Sequence, residues 1–191
     1  MKMSEIITFN TEDSLKSPTI TKPEVFTLVH ESHPILKQVL PEFDFTNPPV
    51  NPEQFASTLV ETCKMHRGIG LSANQCGFPY RVFVMGAEDS YVAFFNPSIV
   101  LKSKKEVHMV EGCLSFPFLG LRITRPEEIA VTYQDYMGTW KETTLVGISA
   151  RCFQHELDHM NGIVYTSKCK PVALEHGLKK RNKILKRIGL K

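Results

Sequence analysis

The chain has no run of eighteen uninterrupted apolar residues, so no membrane-spanning helix is expected. Its first residues, MKMSEIITFN, lack the apolar stretch of a secretory signal. Cysteine is scarce: there are five, an odd number, with no Cys-x-x-Cys pair. That excludes a disulfide framework and fits a reducing compartment. A large excess of either charge is also missing. A net charge of +3 over 191 residues is too little to imply nucleic-acid binding by itself, although the last dozen residues are strongly basic. There are no internal repeats and no low-complexity segment. What is present is a hydrophobic share of 42%, enough for one ordinary globular core. A soluble, cytoplasmic protein is expected.

Residues 1–26 are polar, contain Pro18 and Pro23, and read as an extended arm. His33-Pro34 opens a short helical candidate through Leu40, followed by the proline-rich connection FDFTNPPVNP. Asn51 before Pro52 marks a helix start, with Gln54 placed for a capping box. Phe55, Ala56, Leu59, Val60 and Cys63 give that helix an apolar face to about His66. Gly68 and Gly70 break it. Strand candidates follow at 81–86, 91–96, 106–110, 128–135 and 139–146, separated by turn residues such as Gly86 and Gly138. A second helix is expected from about Ile148 to Asn161, capped by Gly162, and a third from about Ala173 to Ile188. This order predicts an α+β fold, with mostly antiparallel sheets wrapped around a central helix and a C-terminal helix behind.

The most telling stretch is His155-Glu156-Leu157-Asp158-His159 on the second helix. Residues four apart share one helix face, so two imidazoles there can grip one metal ion. The Glu156 carboxylate can then reach a water on that ion and take its proton. The chemistry is hydrolysis by a metal-activated water. A catalytic site of this kind needs a third protein ligand. Cys113 follows a glycine at the end of a strand-like run and would offer a soft sulfur ligand. Glu175 and His176 lie downstream, on a face that reads as solvated. Asp158 can orient a histidine or pair with a cation, and Glu111 can bond substrate backbone or pair with Arg125. A third segment, Gly68 to Gln75, has paired glycines that let backbone approach a ligand closely, and ends on the Gln75 amide.

Three segments in order, GIGLSANQ (68–75), EGCLS (111–115) and QHELDH (154–159), resemble the peptide deformylase family. Its motifs read GxGLAAxQ, EGCLS and QHExDH, and Ser72 replaces the usual alanine. The resemblance covers about residues 27–167, which would make 1–26 an N-terminal arm, 27–167 the catalytic domain and 168–191 a basic C-terminal helix. It implies removal of the formyl group from the N-terminal formylmethionine of nascent polypeptides. Cys113, His155 and His159 would hold one divalent metal, and a metal-bound water would attack the formyl carbon. Glu156 would be general acid and base. Gln75 and the Leu114 N–H would stabilise charge on the formyl oxygen. The resemblance implies Fe2+ in cells, and the donor set also suits Zn2+, Ni2+ or Co2+.

For the methionine side chain, Ile148, Cys152 and His155 fall on one helix face, and Arg151 can add its aliphatic stem. Ile69 would supply the opposing wall, and Gly70 would bond substrate backbone as the resemblance suggests. The tail LKKRNKILKRIGLK reads first as a docked helix with a solvated charged face. Its second reading is contact with the ribosome through ribosomal RNA. Two other functions compete: a zinc endopeptidase using Glu175, and a ribosome- or RNA-binding module with a closed structural metal site.

Overall fold

The computed structural model describes residues 24–88 and 90–190. The expected arm at 1–26 therefore lies almost wholly outside the described residues. Phe26 is within them and packs into the core. Its ring sits 5.4 Å from that of Phe55 and 4.7 Å from that of Phe78, and its N–H donates to Thr62 Oγ1 at 2.9 Å.

Helix α1 (Pro52–Met65) begins as its sequence predicts. Asn51 Oδ1 accepts from the Gln54 N–H at 2.9 Å, and Pro52 occupies the first turn, where its missing N–H costs nothing. Phe55, Ala56, Leu59 and Cys63 are buried, as the apolar period requires. The expected helix after His33 is only a single 3-10 turn, Pro34–Lys37.

Five strands make one antiparallel sheet in the order β1 (Gly70–Ser72), β2 (Val82–Ala87), β3 (Ser90–Lys102), β6 (Glu128–Gln134) and β7 (Trp140–Val146). A separate antiparallel pair is formed by β4 (Glu106–Cys113) and β5 (Phe116–Pro126). Strands β1 and β5 are not among the strand candidates that the sequence offers. Pro117, Gly120 and two arginines interrupt β5, yet Leu119, Leu121, Ile123 and Arg125 alternate on its buried face.

Helix α2 (Gly147–Met160) runs between the two sheets. Every residue from Ala150 to Met160 is buried. Phe153, Leu157 and Met160 pack with Phe83, Phe94, Ile129 and Val131 of the large sheet. The opposite face carries polar groups toward β4 and β5. Gly162 ends the helix at φ +68, where a Cβ would come within 2.6 Å of the Lys37 carbonyl oxygen, so only glycine fits. Helix α3 (Pro171–Arg187) closes the chain against β5. Among the described residues no helix is long and apolar enough to cross a membrane.

Candidate metal centre

His155 and His159 project from one face of α2, their rings 5.2 Å apart. Cys113 closes the third side. It ends β4 at the tip of the β4–β5 hairpin, and its Sγ lies 3.4 Å from His159 Nε2. Donor atoms of Cys113, His155 and His159 all fall within 4.8 Å of one another. No segment is long enough to supply all three, so the packing of hairpin on helix creates the cluster.

Gln75 reaches the same sulfur from the 3-10 turn after β1. Its Nε2 is 3.3 Å from Cys113 Sγ and donates to Ser115 Oγ at 3.0 Å. Its Oε1 accepts from both the N–H and the hydroxyl of Ser72, each at 3.0 Å. The amide is thereby oriented, nitrogen toward the cluster. Ser115 was missed in the sequence, although it belongs to the EGCLS segment. Leu114 follows Cys113 at the hairpin tip.

Beneath the cluster lies a buried charge network. Glu111 accepts from Arg125 Nε at 2.6 Å and Nη2 at 2.8 Å, from Arg151 Nη1 at 2.6 Å, and from His155 Nδ1 at 3.0 Å. Asp158 accepts from Arg125 Nη1 at 2.8 Å and pairs with Lys168 at 3.1 Å. Glu111 and Asp158 thus take the cation-pairing roles that the sequence left undecided. Glu111 also orients a histidine.

The charges follow from these contacts. Burial pushes the Glu111 carboxyl up, but hydrogen bonds from Arg125 and His155 outweigh it and hold it at about 2. Burial drives the Glu156 carboxyl up to about 7, against the pull of His155 and Arg125. Burial, helped by the charges of His155 and Arg125, pushes His159 well below its ordinary value. Burial pulls His155 down too, but hydrogen bonds with Cys113 and Glu111 carry it to about 10. A metal binding His155 must displace that proton.

A cavity of about 640 Å³ opens above the cluster. Its lining contains Gln75, Cys113, Leu114, His155 and Glu156, and also Ile69, Gly70, Ile148, Arg151 and Cys152. The predicted substrate-binding residues therefore share one cavity with the chemistry. His159 is not in that lining. Val110, Phe116 and Phe118, which no sequence motif marks, also line it. Arg151 does more than lend its stem, because its guanidinium binds Glu111 and the carbonyls of Ile123 and Val107. Glu175 is exposed on α3 and pairs with Lys179 at 2.6 Å, so the endopeptidase reading loses its third ligand.

The sequence model of the family described as polypeptide deformylase matches residues 25–175. The chain belongs to the peptide deformylase family. It is 41% identical over 113 residues to the peptide deformylase of Thermotoga neapolitana, covering 59% of this chain and 69% of that one. To the Finegoldia magna peptide deformylase it is 34% identical over 140 residues, covering 72% and 85%. The crystal structure of the Synechococcus elongatus peptide deformylase in complex with actinonin superposes with TM-score 0.77, 28% identity, and coverage of 85% and 90%. The Plasmodium falciparum peptide deformylase gives 0.76, 31%, and coverage of 84% and 96%. As a peptide deformylase the chain is a metal-dependent hydrolase that removes the formyl group from the N-termini of nascent polypeptides.

The residues present fit such an ion. Two imidazoles and one sulfur are donors that divalent transition metals accept. Glu156 Oε2 is buried and has no hydrogen-bond partner among the described residues, which leaves it free to take a proton from water beside those donors.

Proposed function

We propose that Cys113, His155 and His159 hold a single divalent ion and that Glu156 moves the proton in formyl removal. The observation that carries this reading is the gathering of three donors within 4.8 Å, with a buried carboxylate oxygen of the neighbouring Glu156 that has no hydrogen-bond partner among the described residues. An ion bound there supplies Lewis acidity toward water and toward a carbonyl oxygen. Glu156 Oε2 takes the proton of the attacking water and delivers it to the departing amine. Burial raises the Glu156 carboxyl in the metal-free protein, and a raised carboxyl can return the proton it takes. Gln75 Nε2 and the Leu114 N–H donate to the formyl oxygen as negative charge grows on it. Ser72 holds the Gln75 amide in that orientation.

Ile148, Cys152 and the stem of Arg151 receive the methionine side chain. Ile69 forms the facing wall, and the Gly70 backbone bonds the peptide. The catalytic unit is 27–167. We take the resident ion in cells to be Fe2+, with Zn2+, Ni2+ and Co2+ as working substitutes. All five cysteines are free, which supports a cytoplasmic location. Exposed Lys180, Lys183, Lys186 and Arg187 on α3 support contact with ribosomal RNA.

Anaerobic purification with elemental analysis, followed by formate release from a formyl-Met peptide, tests the site. One equivalent of metal and steady formate release are expected, with both lost in Cys113→Ser. Undiminished release from a metal-free Cys113→Ser protein would overturn the reading. Ribosome contact is tested by co-sedimentation of the K180E/K183E/K186E protein against salt. Unchanged pelleting would discard it.

A further inference from the structure

Residues 117–120 form one outer wall of the cavity, and they bulge from β5 where its pairing with β4 is irregular. The pairing of β4 with β5 jumps from Glu111–Leu121 to Cys113–Phe116, so Gly112 alone faces the four residues Pro117 to Gly120. Phe118, at the crest, has φ +64 and is half exposed. A bulge of four residues against one disrupts the ladder locally, and its backbone groups look to other partners.

Those partners come from the end of the chain. The Tyr165 hydroxyl donates to the Leu119 carbonyl at 2.7 Å. Arg181 Nε, on α3, donates to the Pro117 carbonyl at 2.9 Å. The same guanidinium donates through Nη1 to Glu31 Oε1 at 3.0 Å and through Nη2 to Glu31 Oε2. Such a two-pronged pair fixes a direction as well as a distance. One turn earlier, Gly177 lies flat on the wall's base, where a Cβ would come within 2.8 Å of the Leu121 side chain.

We propose that Arg181 is a positioning residue for substrate. By bridging Glu31 and the Pro117 carbonyl, it sets where the 117–120 wall stands. It thereby sets how tightly the site holds peptide beyond the formylmethionine. This rests on the reading that the cavity takes the formylated peptide. The methionine pocket is built from α2 and Ile69, which Arg181 does not touch, so the effect falls on the following residues. The donors and Glu156 sit on β4 and α2, not on the wall. Its displacement weakens ground state and transition state alike, which raises KM and spares kcat.

The test compares wild type, Arg181→Ala and Glu31→Gln, all metal-loaded, on formyl-Met-Ala and on a formylated tetrapeptide. For Arg181→Ala, KM for the tetrapeptide is expected to rise roughly fivefold, the scale of one lost ordering hydrogen bond. KM for the dipeptide, kcat and metal content should hold. Glu31→Gln should move the same way by less. Hydrogen exchange gives a readout independent of turnover: amides at 116–121 should exchange faster in Arg181→Ala, and those at 155–160 should not. KM values rising equally for both peptides, or unchanged exchange at 116–121, would overturn the proposal. If wild type cleaved neither peptide, the cavity reading would fail, while the exchange comparison would still decide the role of Arg181.

Discussion

Glu111 Oε2 accepts a hydrogen bond from His155 Nδ1 at 3.0 Å, and this contact ties the β4–β5 hairpin to the helix that carries both histidines. With Nδ1 committed, Nε2 is the nitrogen left for a metal, the arrangement that a carboxylate behind a ligating histidine enforces. Glu111 is itself held by Arg125 and Arg151, so the orientation of the ring is inherited from two buried guanidinium groups.

Glu111→Gln is expected to weaken metal binding about 10- to 100-fold, the range seen when a partner behind a ligand is lost. It also leaves two buried arginines short of countercharge, at a cost of about 3–5 kcal/mol in stability. Metal titration and chemical denaturation measure the two effects separately. Wild-type values in both would show that the network is dispensable.

Gln75→Ala is expected to lower kcat by about a hundredfold, the typical worth of one donor to a developing oxyanion. Metal content should stay at one equivalent, because Gln75 donates to the sulfur at 3.3 Å without being a ligand itself. Unchanged turnover would remove Gln75 from the mechanism.

Gly70→Ala is a test of Glu156. An added Cβ would fall 2.6 Å from Glu156 Oε1 and 2.7 Å from Cys152 Sγ, closer than real contacts allow. The carboxylate must shift, and kcat should fall by roughly a hundredfold, as small misplacements of a reacting group do. Bound metal, measured by elemental analysis, should not change. A full-speed enzyme would mean that Glu156 need not stand where it does.

The metal-stripped protein should lose stability as pH rises from 7 to 10. His155 holds its proton to about 10 when folded, against 6.5 when unfolded. That contribution is complete below 6.5 and vanishes as pH climbs through the folded value. Burial raises Cys63 and Cys76 to about 12, which adds the same sign above their ordinary value of 9.0. Melting temperatures of chelated protein across this window check the sign, and metal affinity should rise over the same window as the proton becomes easier to displace. A melting temperature that rose with pH would contradict the assignment.

Much of the fold was legible because its signals are local. Asn51-Pro52 marked the start of α1, short runs bounded by turn residues marked β2, the first half of β3, β4, β6 and β7, and the His155–His159 spacing put two imidazoles on one helix face. Strand β5 was not legible. Its partner is a neighbouring strand, and its apolar alternation is broken by Pro117, Gly120 and the buried Arg125. The short 3-10 turn at Pro34–Lys37 looked like a longer helix because capping chemistry gives a start but no length.

The sequence by itself determined which residue types the centre would use, since helical spacing and ordered motifs are properties of the bare chain. Only the tertiary structure decided that Cys113, and not Glu175, lies beside the histidines. It alone gave Glu111 to His155, Arg125 and Arg151 together, and placed Arg181 behind the cavity wall. These pairs join residues from 14 to 64 positions apart. Their meeting depends on how sheets and helices exclude water together, and no local window of the chain carries that information.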